Sequence, residues 1–140
     1  MNNNIKTIPM TDFSLSWRWT DPRYDVLPTE ILRQIIPLSP DSATMISENA
    51  TIKCRGNING IRIEANRATA ERLRNLEITG TTEIYISWSE DTAVITTWSV
   101  FCNFYETFCY PYSDDVTIWP KSQEWSLCYF HDEYFIFRKI

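Results

Sequence analysis

Residues 116–140 constrain the fold more than any other stretch of the chain. They read Val-Thr-Ile-Trp, Pro-Lys-Ser-Gln, Glu-Trp-Ser-Leu-Cys-Tyr-Phe, His-Asp-Glu, Tyr-Phe-Ile-Phe-Arg-Lys and a final Ile. Three runs rich in β-branched and aromatic residues are separated by short polar breaks, one of them carrying Pro120. That is the pattern of a three-stranded antiparallel meander. In the middle run, alternation puts Trp125, Leu127 and Tyr129 on one face and Ser126, Cys128 and Phe130 on the other. In the last run Phe135 and Phe137 share a face, opposite Tyr134, Ile136 and Arg138. Both faces are apolar enough to need a cover, so earlier segments are expected to pack on this sheet.

The chain is long enough for that: 140 residues suffice for one domain, expected to span 1–140, with a core that needs no staples. Hydrophobic residues at 44% exclude a wholly disordered chain. No apolar run approaches the roughly 20 residues of a membrane-spanning helix. The opening Met-Asn-Asn-Asn-Ile-Lys-Thr lacks the basic and apolar regions of a secretory leader. The expected setting is the cytosol, away from membranes. There the cysteines, Cys54, Cys102, Cys109 and Cys128, are expected as reduced thiols rather than a disulfide framework. No C-x-x-C occurs and His131 is the one histidine, so no metal site and no cofactor is expected. The nearest ligand set would join Cys128 and His131 to Cys102 and Cys109.

Charge is divided unevenly. Residues 1–81 hold nine acids and ten bases, whereas residues 82–140 hold nine acids against three bases, a formal −6. The same C-terminal part carries sixteen of the twenty aromatic residues. An acidic surface interleaved with Tyr and Trp repels nucleic acid, whose phosphates demand Lys and Arg. It suits a basic protein partner. Solubility alone explains the sign of the charge but not the aromatic content.

Earlier in the chain, 13–19 alternates strictly, with Phe13, Leu15, Trp17 and Trp19 on one side, and predicts a strand or an extended segment laid on the core. A short helix is expected from Leu27-Pro28 to about Ile36, with Ile31, Leu32, Ile35 and Ile36 as its stripe and Pro37 as its stop. Ser39 and Pro40 then cap and open a second helix to about Ser47. A strand at 51–55, turns at Gly56-Asn57 and Asn59-Gly60, and extended chain at 61–64 follow. A helix over 66–76 would place Arg67, Glu71 and Arg74 near one face as ion pairs. Strands at 83–88 and 93–97 form a hairpin about the 89–92 turn. From Ser99 the period changes, and Val100, Phe101, Phe104, Tyr105 and Phe108 predict a helix to Cys109 that covers the open face of the meander.

No nucleophile elbow, phosphate loop, dinucleotide loop or H-E-x-x-H zinc motif is present. His131, beside Asp132 and Glu133, has the surroundings of a general base, with Cys128 or Cys109 as the nucleophile to weigh beside it. More suggestive is Tyr110-Pro-Tyr-Ser-Asp-Asp115, where Asp114 and Asp115 sit between Tyr112 and Trp119. Such a loop is either stiffened by its own side chains or presented to a cationic partner, for which carboxylates and tyrosines supply strong interface contacts.

The stretch from Phe108 through Tyr110-Pro-Tyr-Ser-Asp-Asp-Val-Thr-Ile-Trp-Pro120, with Trp125 and His131-Asp-Glu-Tyr-Phe-Ile-Phe137, resembles a pattern in immunity proteins encoded beside polymorphic or contact-dependent bacterial toxins. The resemblance implies an α+β domain without enzymatic activity that binds its cognate toxin in the cytosol. The expected fold is therefore α+β: a mainly antiparallel sheet of about five strands with short helices packed on it. The expected function is occlusion of a basic toxin domain, a nuclease being the favoured case. Asp114, Asp115, Glu90, Asp91, Asp132 and Glu133 would fill its nucleic-acid cleft, with Tyr110, Tyr112 and Trp119 as anchors. The alternatives are a small hydrolase or transferase using His131, and a structural adaptor.

Overall fold

The computed structural model of the protein describes residues 5–50 and 59–140. The strand expected at 51–55 and the Gly56-Asn57 turn lie outside the described residues. In chain order the helices and strands are α1 (Trp17–Thr20), α2 (Thr29–Leu32), β1 (Ile36–Pro37), α3 (Pro40–Asn49), β2 (Ile61–Glu64), α4 (Thr69–Arg74), β3 (Glu83–Ser89), β4 (Thr92–Thr97), α5 (Trp98–Phe108), β5 (Val116–Pro120), β6 (Trp125–Phe130) and β7 (Tyr134–Lys139). Among the described residues seven strands form one antiparallel sheet in the order β1-β4-β3-β5-β6-β7-β2. The fold is α+β and ends in the expected meander, with Val116 opposite Tyr129 and Tyr129 opposite Phe135.

The sheet is wider than the five or so strands expected because of its two edges. At one edge, the helical stripe of 31–36 breaks early: α2 ends at Leu32, and Ile36-Pro37 turns outward to pair with Ile95 and Val94. Pro37 has no N–H to give a ladder, so an edge strand is the place that tolerates it. Its carbonyl accepts from the Ile8 N–H at 3.0 Å. At the other edge β2 pairs with β7, and Gly60 leads into it because an added Cβ would collide with the Phe137 carbonyl oxygen.

Both faces are covered. After the β3–β4 hairpin, α5 crosses back over the sheet so that β5 pairs with β3 rather than β4. It lies on the face carrying Ile84, Ile86, Val116, Ile118, Leu127 and Phe135. Trp98 meets Trp125 edge-on at 5.3 Å, and Phe101 meets Phe135 edge-on at 6.4 Å. Thr97 caps the helix, its hydroxyl accepting from the Val100 N–H. The other face, with Tyr85, Ala93 and Trp119, packs against Leu38 and α3 residues Ala43 and Ile46. α3 begins as expected, Ser39 Oγ accepting from the Ser42 N–H with Pro40 in the first turn. No helix of the described residues is long and apolar enough to cross a membrane.

Three local readings are corrected. The alternating 13–19 stretch is neither strand nor extended chain: it winds through turns into α1, so Trp17 and Trp19 point to different surroundings. Phe13 and Trp19 stack on each other in the core, and Trp19 Nε1 donates to Thr107 Oγ1 at 3.0 Å. α4 is shorter than 66–76, and Arg74 donates to Asn103 Oδ1 on α5 instead of pairing with Glu71. Finally, Cys102 and Cys109 are free and buried, but Cys128 is disulfide-bonded, which a chain of four reduced thiols does not allow. Thiol titration of the denatured, unreduced protein is expected to count two free thiols. Four would restore the fully reduced reading.

Candidate functional site

Strand register decides which of the predicted residues meet. Ser87 pairs with Thr117 and Val116 with Tyr129, so the 89–91 turn, the start of β5 and the 131–133 turn all lie at one end of the sheet. The 109–115 loop enters at that same end. It thereby gathers Glu90, Asp91, Asp115, Asp132 and Glu133 with Tyr110 and Tyr112. Loops 89–91, 110–115 and 131–133 contain no lysine or arginine.

Asp91, Asp115, His131 and Tyr112 each have a definite support. Asp91 accepts from the hydroxyls of Ser89, at 2.9 Å, and Thr92, at 3.1 Å, which hold its carboxyl below the usual carboxylate range. Asp115 Oδ1 accepts from the His131 backbone N–H at 2.9 Å and lies 3.0 Å from His131 Nδ1. His131 Nε2 is 3.7 Å from Asp132. The hydrogen bond to Asp115, aided by the charges of Asp115 and Asp132, raises the His131 pKa. Tyr112 is 81% exposed with φ at +68°, its N–H donating to the His131 carbonyl at 2.9 Å.

The raised His131 pKa has a definite sign. The folded state favours the imidazolium, so the contact is fully present below the ordinary value of about 6.5 and is lost as pH rises through the folded value. An NMR titration of Asp115→Asn is therefore expected to show a lower His131 midpoint than the wild type. An unchanged midpoint would mean that the pair does not persist in solution.

Two predicted residues are placed differently from the rest. Asp114 is 8% exposed and takes Arg18 in a fork: NH1 donates to Oδ2 at 2.7 Å and NH2 to Oδ1 at 3.0 Å. Its Oδ2 also accepts from the Tyr110 N–H at 2.8 Å. Arg18 is itself buried, its guanidinium 4.4 Å from the Tyr110 ring centre and also over Trp17 and Trp88. Asp114 thus faces the protein rather than a partner, and it ties the 109–115 loop to α1. Trp119 is 3% exposed and packs on Tyr85 in the second core, so it is no surface anchor. Tyr110 is half-buried by Arg18 and Trp17.

Two clefts adjoin this end. One, of about 570 Å³, lies between α4, α5 and the 131–133 turn, with Tyr105, Cys109, Pro111, Tyr129 and Glu133 among its walls. The other, of about 550 Å³, is formed by residues 24–28 and α5, and the two share Asp25 and Glu106. Neither acid is in the acidic set picked from the sequence. Both sit where only the folded chain brings them, which leaves no local signal. Arg18 is hidden for the same reason, its partner being 96 residues away.

The Cys–His pairing considered from the sequence is not assembled. Cys128 is held in a disulfide, and burial pushes the Cys109 thiol well above its ordinary pKa, the opposite of what a nucleophile needs. Among the described residues no group of three or more His, Cys, Asp or Glu side chains is arranged to hold a metal ion. The site is therefore a surface of carboxylates and one projecting tyrosine beside two clefts. No family model, curated protein or solved structure matches the chain.

Proposed function

We propose that the protein is a cytosolic immunity protein that binds a cognate bacterial toxin, a nuclease being the favoured case, and blocks its basic cleft with the acidic, aromatic end of the sheet. The observation that carries this reading is Tyr112. A non-glycine residue at positive φ costs on the order of 1–3 kcal/mol, and a side chain 81% exposed recovers little of it by burial. The backbone conformation lets the Tyr112 N–H reach the His131 carbonyl, but the exposed ring adds little to folding. An interface would use it, because Tyr is a frequent hot spot. Around it stand Asp115, Asp132, Glu133, Glu90 and Asp91, which offer carboxylates where the toxin would otherwise hold phosphates. Asp114 and Trp119 drop out of the contact surface and act from beneath it.

The compartment is part of the proposal, and the Cys128 disulfide is the observation that pulls against it, since reducing compartments keep thiols reduced. The test of the function is co-expression with the toxin encoded beside the chain's own gene, with growth and co-purification as readouts. Protection and a stable complex support the reading; neither appearing, with both proteins expressed, rejects it. A second reading rests on the His131–Asp115 contact, which orients an imidazole as a general base requires. It predicts an activity abolished by His131→Gln, whereas immunity should survive that change.

A further inference from the structure

The 570 Å³ cleft has a feature that its acidic rim does not explain. At its floor lies Tyr129, 2% exposed, whose hydroxyl has no hydrogen-bond partner among the described residues. A buried phenol ordinarily finds one. The fully enclosed and unpaired side-chain atoms of the described residues are Arg18 Nε and Trp98 Nε1, so the Tyr129 hydroxyl is not sealed in, and it opens on the cleft that it lines. The cleft has the volume of a small-ligand site.

The rim decides the charge of what enters. Asp25, Glu106 and Glu133 stand against Arg67, three carboxylates to one guanidinium, for a formal −2. A cation is attracted and an anion repelled. Tyr105 and Tyr129 give the walls aromatic rings, which favour a cation further. Pro111, also in the wall, is the neighbour of Tyr112, so the cleft is continuous with the surface proposed above.

Resting on that reading, we propose that the cleft receives the guanidinium or ammonium tip of one basic side chain of the partner. A tip N–H donates to Tyr129 Oη, Glu133 and Glu106 neutralise the charge, and the aliphatic stem lies along Ala65 and Ala70. The cleft supplies the deep anchor, and Tyr112 with its surrounding carboxylates supplies the rim.

The experiment titrates the full-length, isotopically labelled chain with N-acetyl-arginine methylamide and, as a neutral probe of nearly the same shape, its citrulline counterpart. Saturable NMR shifts at Ala65, Ala70 and Glu133 are expected with the arginine probe, with binding of the citrulline probe at least about tenfold weaker. Tyr129→Phe, which removes a single oxygen, should weaken arginine-probe binding by about tenfold, and Arg67→Gln should strengthen it. Equal binding of the two probes, no saturable shift at these residues, or no effect of Tyr129→Phe would overturn the proposal. The toxin arm separates the two claims. Wild type and Tyr129→Phe binding toxin alike, with no shift from the arginine probe, would sink the cleft and leave the surface standing. Arginine-probe binding in the cleft, with no toxin binding at all, would keep the cleft's cation chemistry and reject the partner.

Discussion

Asp114→Ala is expected to lower stability by about 3–5 kcal/mol, the cost of leaving one member of a buried ion pair alone. The carboxylate that disappears satisfies both terminal nitrogens of Arg18 and the Tyr110 N–H, and Arg18 is only 4% exposed, so water cannot replace it. Charge reversal at this position should do at least as much damage. The sequence places Asp114 among the partner-facing carboxylates, whereas the structure makes it a buried partner of Arg18. Replacing both partners, as Arg18→Met with Asp114→Leu, should recover part of the loss, because the desolvation cost of two charges disappears with them. Urea denaturation of the four proteins measures it. An unchanged midpoint for Asp114→Ala would mean that the pair is open in solution.

The aromatic helix gives the second large effect. Phe101→Ala and Phe108→Ala should each cost about 3–5 kcal/mol, since both rings are fully buried and touch at 5.8 Å between centres. Phe104→Ala should cost only about 1–2 kcal/mol, in proportion to its half-burial. Its backbone leaves helical geometry, with φ −132° and ψ 25°, and its ring packs against the core while only partly buried. Equal losses at all three positions would contradict the partial burial of Phe104.

What the sequence made legible follows from what is local. The meander, the β3–β4 hairpin, the Ser39-Pro40 cap and the start of α5 each depend on residues within a few positions of one another, and each lies where period and capping rules put it. The alternation at 13–19 misled because bulky aromatics at every second position also suit a chain that winds, with Phe13 and Trp19 stacked and Arg18 turned inward. Arg18 reads as solvent-facing until Asp114 is beside it, and no pattern within one segment announces a partner so distant. The same holds for the site. Composition marks the C-terminal part as acidic and aromatic, but distant contacts separate Tyr112 and Asp115, at the surface, from Asp114, held inside by Arg18, and Trp119, packed on Tyr85.

The most direct test of the proposed interface compares two double reversals that change net charge identically, from −5 to −1. Glu90→Lys/Asp132→Lys alters the end bearing Tyr112. Glu83→Lys/Glu124→Lys alters the opposite end, where Glu83 makes only an exposed pair with Lys121. Both should fold, because exposed charges contribute about 0–1 kcal/mol. Calorimetric titration against the encoded toxin should show the first variant weakened by about 2–5 kcal/mol and the second nearly unaffected. Equal weakening of both would reduce the effect to net charge, and loss confined to the Glu83 end would place the interface on the opposite side of the molecule.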